Sequence, residues 1–111
     1  MTEDAFQPLL ALADVARGRM RSCRVGEREL VVCHTRDGVF AVDNVCTHAF
    51  ARMSEGYLKG TRIICPLHGA TFDVRTGRVL GGPASMALPA FPTRVVDGVV
   101  EVALPPGTEA K

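Results

Sequence analysis

The chain has 111 residues, 47% of them hydrophobic, with 13 Lys and Arg set against 12 Asp and Glu for a formal net charge of +1. That length buries about two-thirds of the surface an unfolded chain exposes, which supports one core and leaves no room for a second domain. The cations are scattered, without the one-sided basic stripe that nucleic acid demands, and no apolar run is long enough for a signal peptide or a membrane span, so a cytoplasmic protein is expected.

In chain order the sequence reads as short strands separated by turn signals, with no long stretch of helical periodicity, which predicts an all-β domain. Leu9 to Leu12 opens the sheet and Ala13 to Gly18 makes a brief turn. Met20 to Val25 and Arg28 to Thr35 flank Gly26-Glu27, a hairpin signal, and Arg36-Asp37-Gly38 leads into Val39 to Asp43. Two short strands follow, Arg62 to Ile64 and Thr71 to Asp73. Near the end, Thr93 to Val96 and Val99 to Leu104 flank Asp97-Gly98, where both residues tolerate the positive φ of a type I′ turn. Pro105-Pro106-Gly107 then stops the sheet. Neither an internal repeat nor a linker is visible, so residues 1–111 read as a single domain with tails at 1–7 and 105–111.

Two short segments carry the chemistry. Cys46-Thr47-His48 and Cys65-Pro66-Leu67-His68 form matched Cys/His pairs in a chain with only three histidines. The first follows the strand ending at Asp43, and the second sits between the strands around Arg62 to Ile64 and Thr71 to Asp73. A zinc finger usually presents Cys with Cys on one knuckle and His with His on a helix, because one tetrahedral ion must be reached by all four ligands. The order here is Cys, His, Cys, His. That alternation suits two metal atoms, one meeting a Cys from each loop and the other a His from each loop. Cys23 and Cys33 lie in apolar or alternating stretches and read as small buried hydrophobes. No secreted context supports a disulfide scaffold.

The stretch from Val45 to Asp73 resembles the Rieske [2Fe-2S] family. Besides the four ligands it holds Ser54-Glu55-Gly56, Cys65-Pro66-Leu67-His68-Gly69 and Phe72-Asp73, followed by Thr76-Gly77 and Gly82-Pro83-Ala84. Together these are similar to the small Rieske ferredoxins that feed electrons to ring-hydroxylating oxygenases, over roughly Leu9 to Leu104. The resemblance implies a small antiparallel β-sandwich or barrel bearing a cluster-binding subdomain, about residues 45–84, built on two ligand loops. It implies one [2Fe-2S] cluster, with Cys46 and Cys65 on the inner iron and His48 and His68 on the outer one. Gly81-Gly82-Pro83-Ala84 matches the family's third loop, which covers the cluster. Relatives in respiratory complexes brace the cluster with an extra Cys in each loop; Leu67 stands at one such position, so that brace is missing.

Neutral imidazoles in place of two thiolates leave the cluster less negative, which raises its potential above that of four-Cys clusters. High-potential family members place Ser and Tyr hydroxyls where this chain has Ala70 and Phe72. A potential near the low end of the range, about −150 mV, is therefore expected. Once His48 and His68 are used, only His34 remains, too few for the mononuclear iron of an oxygenase. Nor is there a dinucleotide fingerprint. The resemblance thus implies a monomeric electron carrier, not an enzyme, that takes electrons from a flavoprotein ferredoxin reductase and passes them to a terminal oxygenase acting on aromatic rings. Ala49, Phe50, Met53, Leu67, Pro83 and Ala84 would form an apolar docking tip, with Arg52 its one charged member between Cys46 and Met53. Two other readings stay open: the Rieske-like small subunit of an assimilatory nitrite reductase, and a structural zinc module.

Overall fold

The computed structural model describes residues 6–47, 51–67, 69–82 and 86–104. In chain order the strands are β1 (Phe6–Ala11), β2 (Met20–Val25), β3 (Arg28–Thr35), β4 (Gly38–Asp43), β5 (Tyr57–Lys59), β6 (Arg62–Ile64), β7 (Thr71–Asp73), β8 (Val79–Gly81), β9 (Ala90–Phe91), β10 (Thr93–Val96) and β11 (Val99–Ala103). They form three antiparallel sheets, ordered β1-β11-β10, β2-β3-β4-β9 and β5-β6-β7-β8. Among the described residues the only helical turns are single 3-10 turns at Leu12–Asp14 and Met53–Glu55. The expected all-β sandwich or barrel is therefore what forms.

Turn chemistry sets the registers. Val25 pairs with Arg28 across Gly26, whose φ of 61° is the positive value a two-residue type II′ hairpin needs at its first position. Between β10 and β11, Val96 pairs with Val99 across Asp97 (φ 52°) and Gly98 (φ 78°), the type I′ pattern. At the β3–β4 turn the Thr35 hydroxyl accepts from the Asp37 N–H at 3.0 Å and donates to the Gly38 carbonyl at 2.9 Å, a local turn bond.

β3 is the wall shared by two layers. Leu30, Val31, Val32 and Cys33 are all fully buried, so neither face of this strand meets water. Alternation sends Val31 and Cys33 to one side, where they pack with Val42, Ile63, Phe72, Val74 and Leu88. Leu30 and Val32 point to the other side, against Val25, Ala41, Val102 and Leu104 or against Val15 and Val100. The second sheet is thus pressed between the first and the third. β1 packs beside β2 and β10 beside β4, which wraps the first two sheets toward a barrel.

Some bounds differ from the sequence reading. β1 begins at Phe6 rather than Leu9, and its pairing with β11 shifts between Pro8 and Leu10. Pro8 has no N–H to give, and an edge strand with an irregular register accommodates it. Phe6 is drawn in by the Arg94 guanidinium, 4.1 Å from its ring centroid. β5, β8 and β9 were not legible: at two or three residues each they show no alternation, and their pairing partners define them. The proline-rich stop at Pro105 to Gly107 lies outside the described residues.

Candidate metal centre

The segment expected to be the second ligand loop is the connection between β6 and β7. Their last paired residues are Ile64 and Thr71, and immediately beyond them the Cys65 N–H donates to the Ala70 carbonyl at 2.8 Å. Cys65 is 1% exposed and Ala70 is fully buried, so the loop starts and ends inside the core. Gly82 presses on its closing residue. With φ at +84°, a Cβ on Gly82 would stand 2.7 Å from the Ala70 Cα and 2.8 Å from the Gly69 carbonyl oxygen. No side chain fits there, and the third loop lies against the second for that reason.

The segment expected to be the first ligand loop leaves β4 at Asp43 and returns at Met53. Its stem is closed by a bridge between Val45 and Arg52 and by the Cys46 N–H, which donates to the Ala51 carbonyl at 3.0 Å. Thr47 reaches the third loop, its hydroxyl donating to the Met86 carbonyl at 2.8 Å. Cys46 is 4% exposed and belongs to the same buried cluster as Cys65, Met53, Ala70 and Phe72. Two loops therefore bring two thiol-bearing side chains into one apolar, water-excluded cluster. That donor chemistry fits the sulfur-ligated iron of a [2Fe-2S] group.

His48 and His68 lie outside the described residues, as do Ala49, Phe50, Pro83 and Ala84 from the expected docking tip. Leu67 is exposed at 59%, as that expectation requires, and Met86 on the third loop is exposed at 66%. Met53 is a correction: it is fully buried beneath the first loop and belongs to the core. Arg52 is not a tip charge standing alone, because its guanidinium is bound to Glu29 on β3 at 3.0 and 3.3 Å. Cys33 is fully buried in the same cluster as Cys46 and Cys65, and Cys23 is half-buried on the opposite side of β3, which matches their reading as small hydrophobes. The His34 Nδ1–H donates to the Val15 carbonyl at 3.0 Å, a structural role.

Sequence reasoning missed Asn44 and Glu29. Asn44, fully buried, accepts the Met53 N–H on its carbonyl and the Ser54 N–H on Oδ1, at 2.6 and 2.8 Å. A polar residue at the last step before the first ligand loop was the available signal. Glu29 offered none, since its role depends on three residues brought to it from elsewhere in the chain.

Residues 5–92 match the family model of the Rieske [2Fe-2S] domain. The chain is 40% identical over 86 residues to the ferredoxin component of the naphthalene 1,2-dioxygenase system of Pseudomonas putida, covering 78% of this chain and 83% of that one. The solved ferredoxin of Sphingomonas yanoikuyae B1 superposes with a TM-score of 0.85 at 32% identity, over 91% of this chain and 100% of that one. A chain of the solved complex of reduced oxygenase and oxidized ferredoxin in carbazole 1,9a-dioxygenase gives a TM-score of 0.83 at 35% identity, with 98% of each covered.

Proposed function

The chain belongs to the Rieske [2Fe-2S] domain family, whose cluster is its cofactor, and from that membership we propose that it is the ferredoxin component of an aromatic-ring dioxygenase system. In this reading it carries single electrons from an NAD(P)H-dependent flavoprotein reductase to a terminal oxygenase. It is a monomeric cytoplasmic carrier with no catalytic step of its own. Among the described residues, no helix is long and apolar enough to cross a membrane.

Cys46 and Cys65 are the proposed ligands of the inner iron, and His48 and His68 those of the outer one. The observation that carries this is the burial of Cys46 and Cys65 in one cluster at the starts of two loops. The bound cluster supplies a one-electron couple at an intermediate potential, because its two imidazoles are neutral ligands. The chain's own residues do the rest. Val31, Ile63, Phe72 and Leu88 exclude water behind the cysteines. The Cys46 and Cys65 N–H groups are committed to Ala51 and Ala70, which holds each loop at its root. Leu67 and Met86 leave apolar surface on the second and third loops for transient docking, in keeping with the small interfaces of redox encounters.

The test pairs spectroscopy with reconstitution. The purified protein should be red-brown and should give a rhombic paramagnetic resonance signal on dithionite reduction, with average g below the free-electron value. Added to a flavoprotein reductase, NADH and the oxygenase of a naphthalene-type system, it should restore hydroxylated product that omission abolishes. A colourless zinc protein would overturn the cofactor and the function together. A normal cluster that reduces a sirohaem nitrite reductase but no oxygenase would reassign the pathway.

A further inference from the structure

Beneath the stem of the first ligand loop lies a connected set of polar contacts that the electron-carrier reading does not use. Every polar group of Asn44 except its carboxamide N–H pair is held within 3 Å: its N–H donates to the Glu29 carbonyl at 2.9 Å, its carbonyl accepts from Met53, and its Oδ1 accepts from Ser54. Its Nδ2 donates to Glu29 Oε1 at 3.4 Å. Burial makes these bonds costly to break, since a buried polar group left unpaired is penalised in full. Asn44 therefore fixes where the chain enters the loop and where it returns.

Glu29 stands behind both arms. Its carboxylate touches the entering arm through Asn44 and the returning arm through Arg52, whose Nε and second guanidinium nitrogen donate to Oε1 and Oε2 at 3.0 and 3.3 Å. Two donors on two oxygens is the fork geometry in which Arg and carboxylate bind best. Arg24, from β2, also donates to Oε2 at 2.8 Å. Among the described residues, the hydrogen bonds of Arg24 run to Glu29 and not to Asn44 or Arg52. The carboxylate is largely covered, with 18% of the Glu29 side chain exposed against 55% for Arg52.

We propose that Glu29 is the positioning residue of the first ligand loop, clamping its entering arm through Asn44 and its returning arm through Arg52, and that retention of the cluster depends on this clamp. The inference rests on Cys46 being a ligand, as the proposed function has it. Opening the clamp frees the stem to widen, which lets a chelator reach the iron held at the loop's root. Arg24 shares the carboxylate but not the mechanical role, and that difference separates a clamp from a general charge effect.

The experiment follows bleaching of the holoprotein's visible absorbance in excess iron chelator, with far-ultraviolet circular dichroism recorded in parallel. Glu29→Gln and Arg52→Gln should each bleach about threefold faster or more, the size expected when a half-exposed charge-assisted pair is lost. The double variant should bleach no faster than the worse single one, because both break the same link. Arg52→Lys, which keeps charge but loses the fork, should fall between. Arg24→Gln should bleach at the wild-type rate.

Reduction potentials give a readout that simple loosening would not move in this pattern: removing the negative charge in Glu29→Gln should shift the potential up, and removing the positive one in Arg52→Gln should shift it down. Wild-type bleaching rates in both Gln variants would overturn the proposal, as would an Arg24→Gln protein that bleaches as fast as Arg52→Gln. If Glu29→Gln loses its fold along with its cluster, Arg52→Gln, which leaves β3 unaltered, decides the question. A Cys46→Ala protein that still assembles a normal cluster would instead sink the ligand assignment.

Discussion

Replacing Gly82 by alanine tests how tightly the third loop is seated on the second. Two costs combine. The φ of +84° is a conformation in which an L side chain crowds its own carbonyl, worth about 1–2 kcal/mol, part of which is returned because alanine restricts the unfolded chain by about 0.4–1 kcal/mol. The added Cβ would also sit 2.7 Å from the Ala70 Cα and 3.0 Å from its nitrogen, both backbone atoms that cannot swing aside. Relieving such overpacking costs about 1–3 kcal/mol. Gly98 supplies the control, since its φ of +78° carries the same conformational cost while nothing lies within 4 Å of its would-be Cβ. Gly98→Ala should therefore lose about 1 kcal/mol and Gly82→Ala about 2–4 kcal/mol. The assay is urea unfolding of each holoprotein, followed by circular dichroism and visible absorption under anaerobic conditions. Equal losses in the two variants would refute the contact between the loops.

Three other outcomes follow from single residues. Asp73 accepts from the Arg75 backbone N–H, Nε and terminal nitrogen at 2.9, 3.0 and 2.9 Å, and this hydrogen bonding holds its carboxyl below the ordinary range despite its burial. A carboxyl lowered on folding stabilises the protein above its unfolded value of about 3.9 and loses that contribution as pH falls. Asp73→Asn should thus cost about 0.5–1.5 kcal/mol at neutral pH, and the gap to wild type should close below about pH 4; a constant gap would contradict the ion pair. Burial pushes the Cys33 thiol up to about 12 and raises that of Cys23 as well, so a thiol reagent at pH 8 should label neither in the folded holoprotein and both in urea. Rapid labelling of Cys33 in the native state would show that β3 is not sealed on both faces. Ala70→Ser would place a hydroxyl in the fully buried position that closes the second loop, where it can donate toward the cluster, so the reduction potential should rise; no measurable shift would dismiss hydroxyl donors as the reason for a low potential.

The parts of the fold that could be read from the sequence are those in which local chemistry and global structure agree. Leu30 to Cys33 is an unbroken apolar run, and it became the strand buried on both faces; Asp97-Gly98 took the two positive φ values a type I′ turn requires. Residues that were misread face a competition that no local window displays. Met53 looked like a tip residue because it closely follows the Cys46-Thr47-His48 segment, yet a 3-10 turn at Met53–Glu55 rolls it under the loop into the core. Arg52 looked like a lone surface charge, but its partner Glu29 is 23 residues away and reaches it only after β3 and β4 have paired.

The same reasoning explains why the proposed ligand pattern stands out in the sequence and its support does not. Cys46 and Cys65, the proposed ligands, stand out by type: few side chains can bind iron, and their place in matched Cys/His pairs is visible in one dimension. The loops that carry them are held by backbone carbonyls, by a buried amide and by a shared carboxylate, groups that many residues could supply and that gain meaning only from position. Asn44 illustrates the point. As a residue type it is an ordinary strand-end asparagine, whereas in the fold it accepts two N–H groups, from Met53 and Ser54, that would otherwise be stranded beside the core. A site's chemistry is thus written in its ligands, while its geometry is written in residues that never touch the metal, and it is those residues that a sequence read alone passes over.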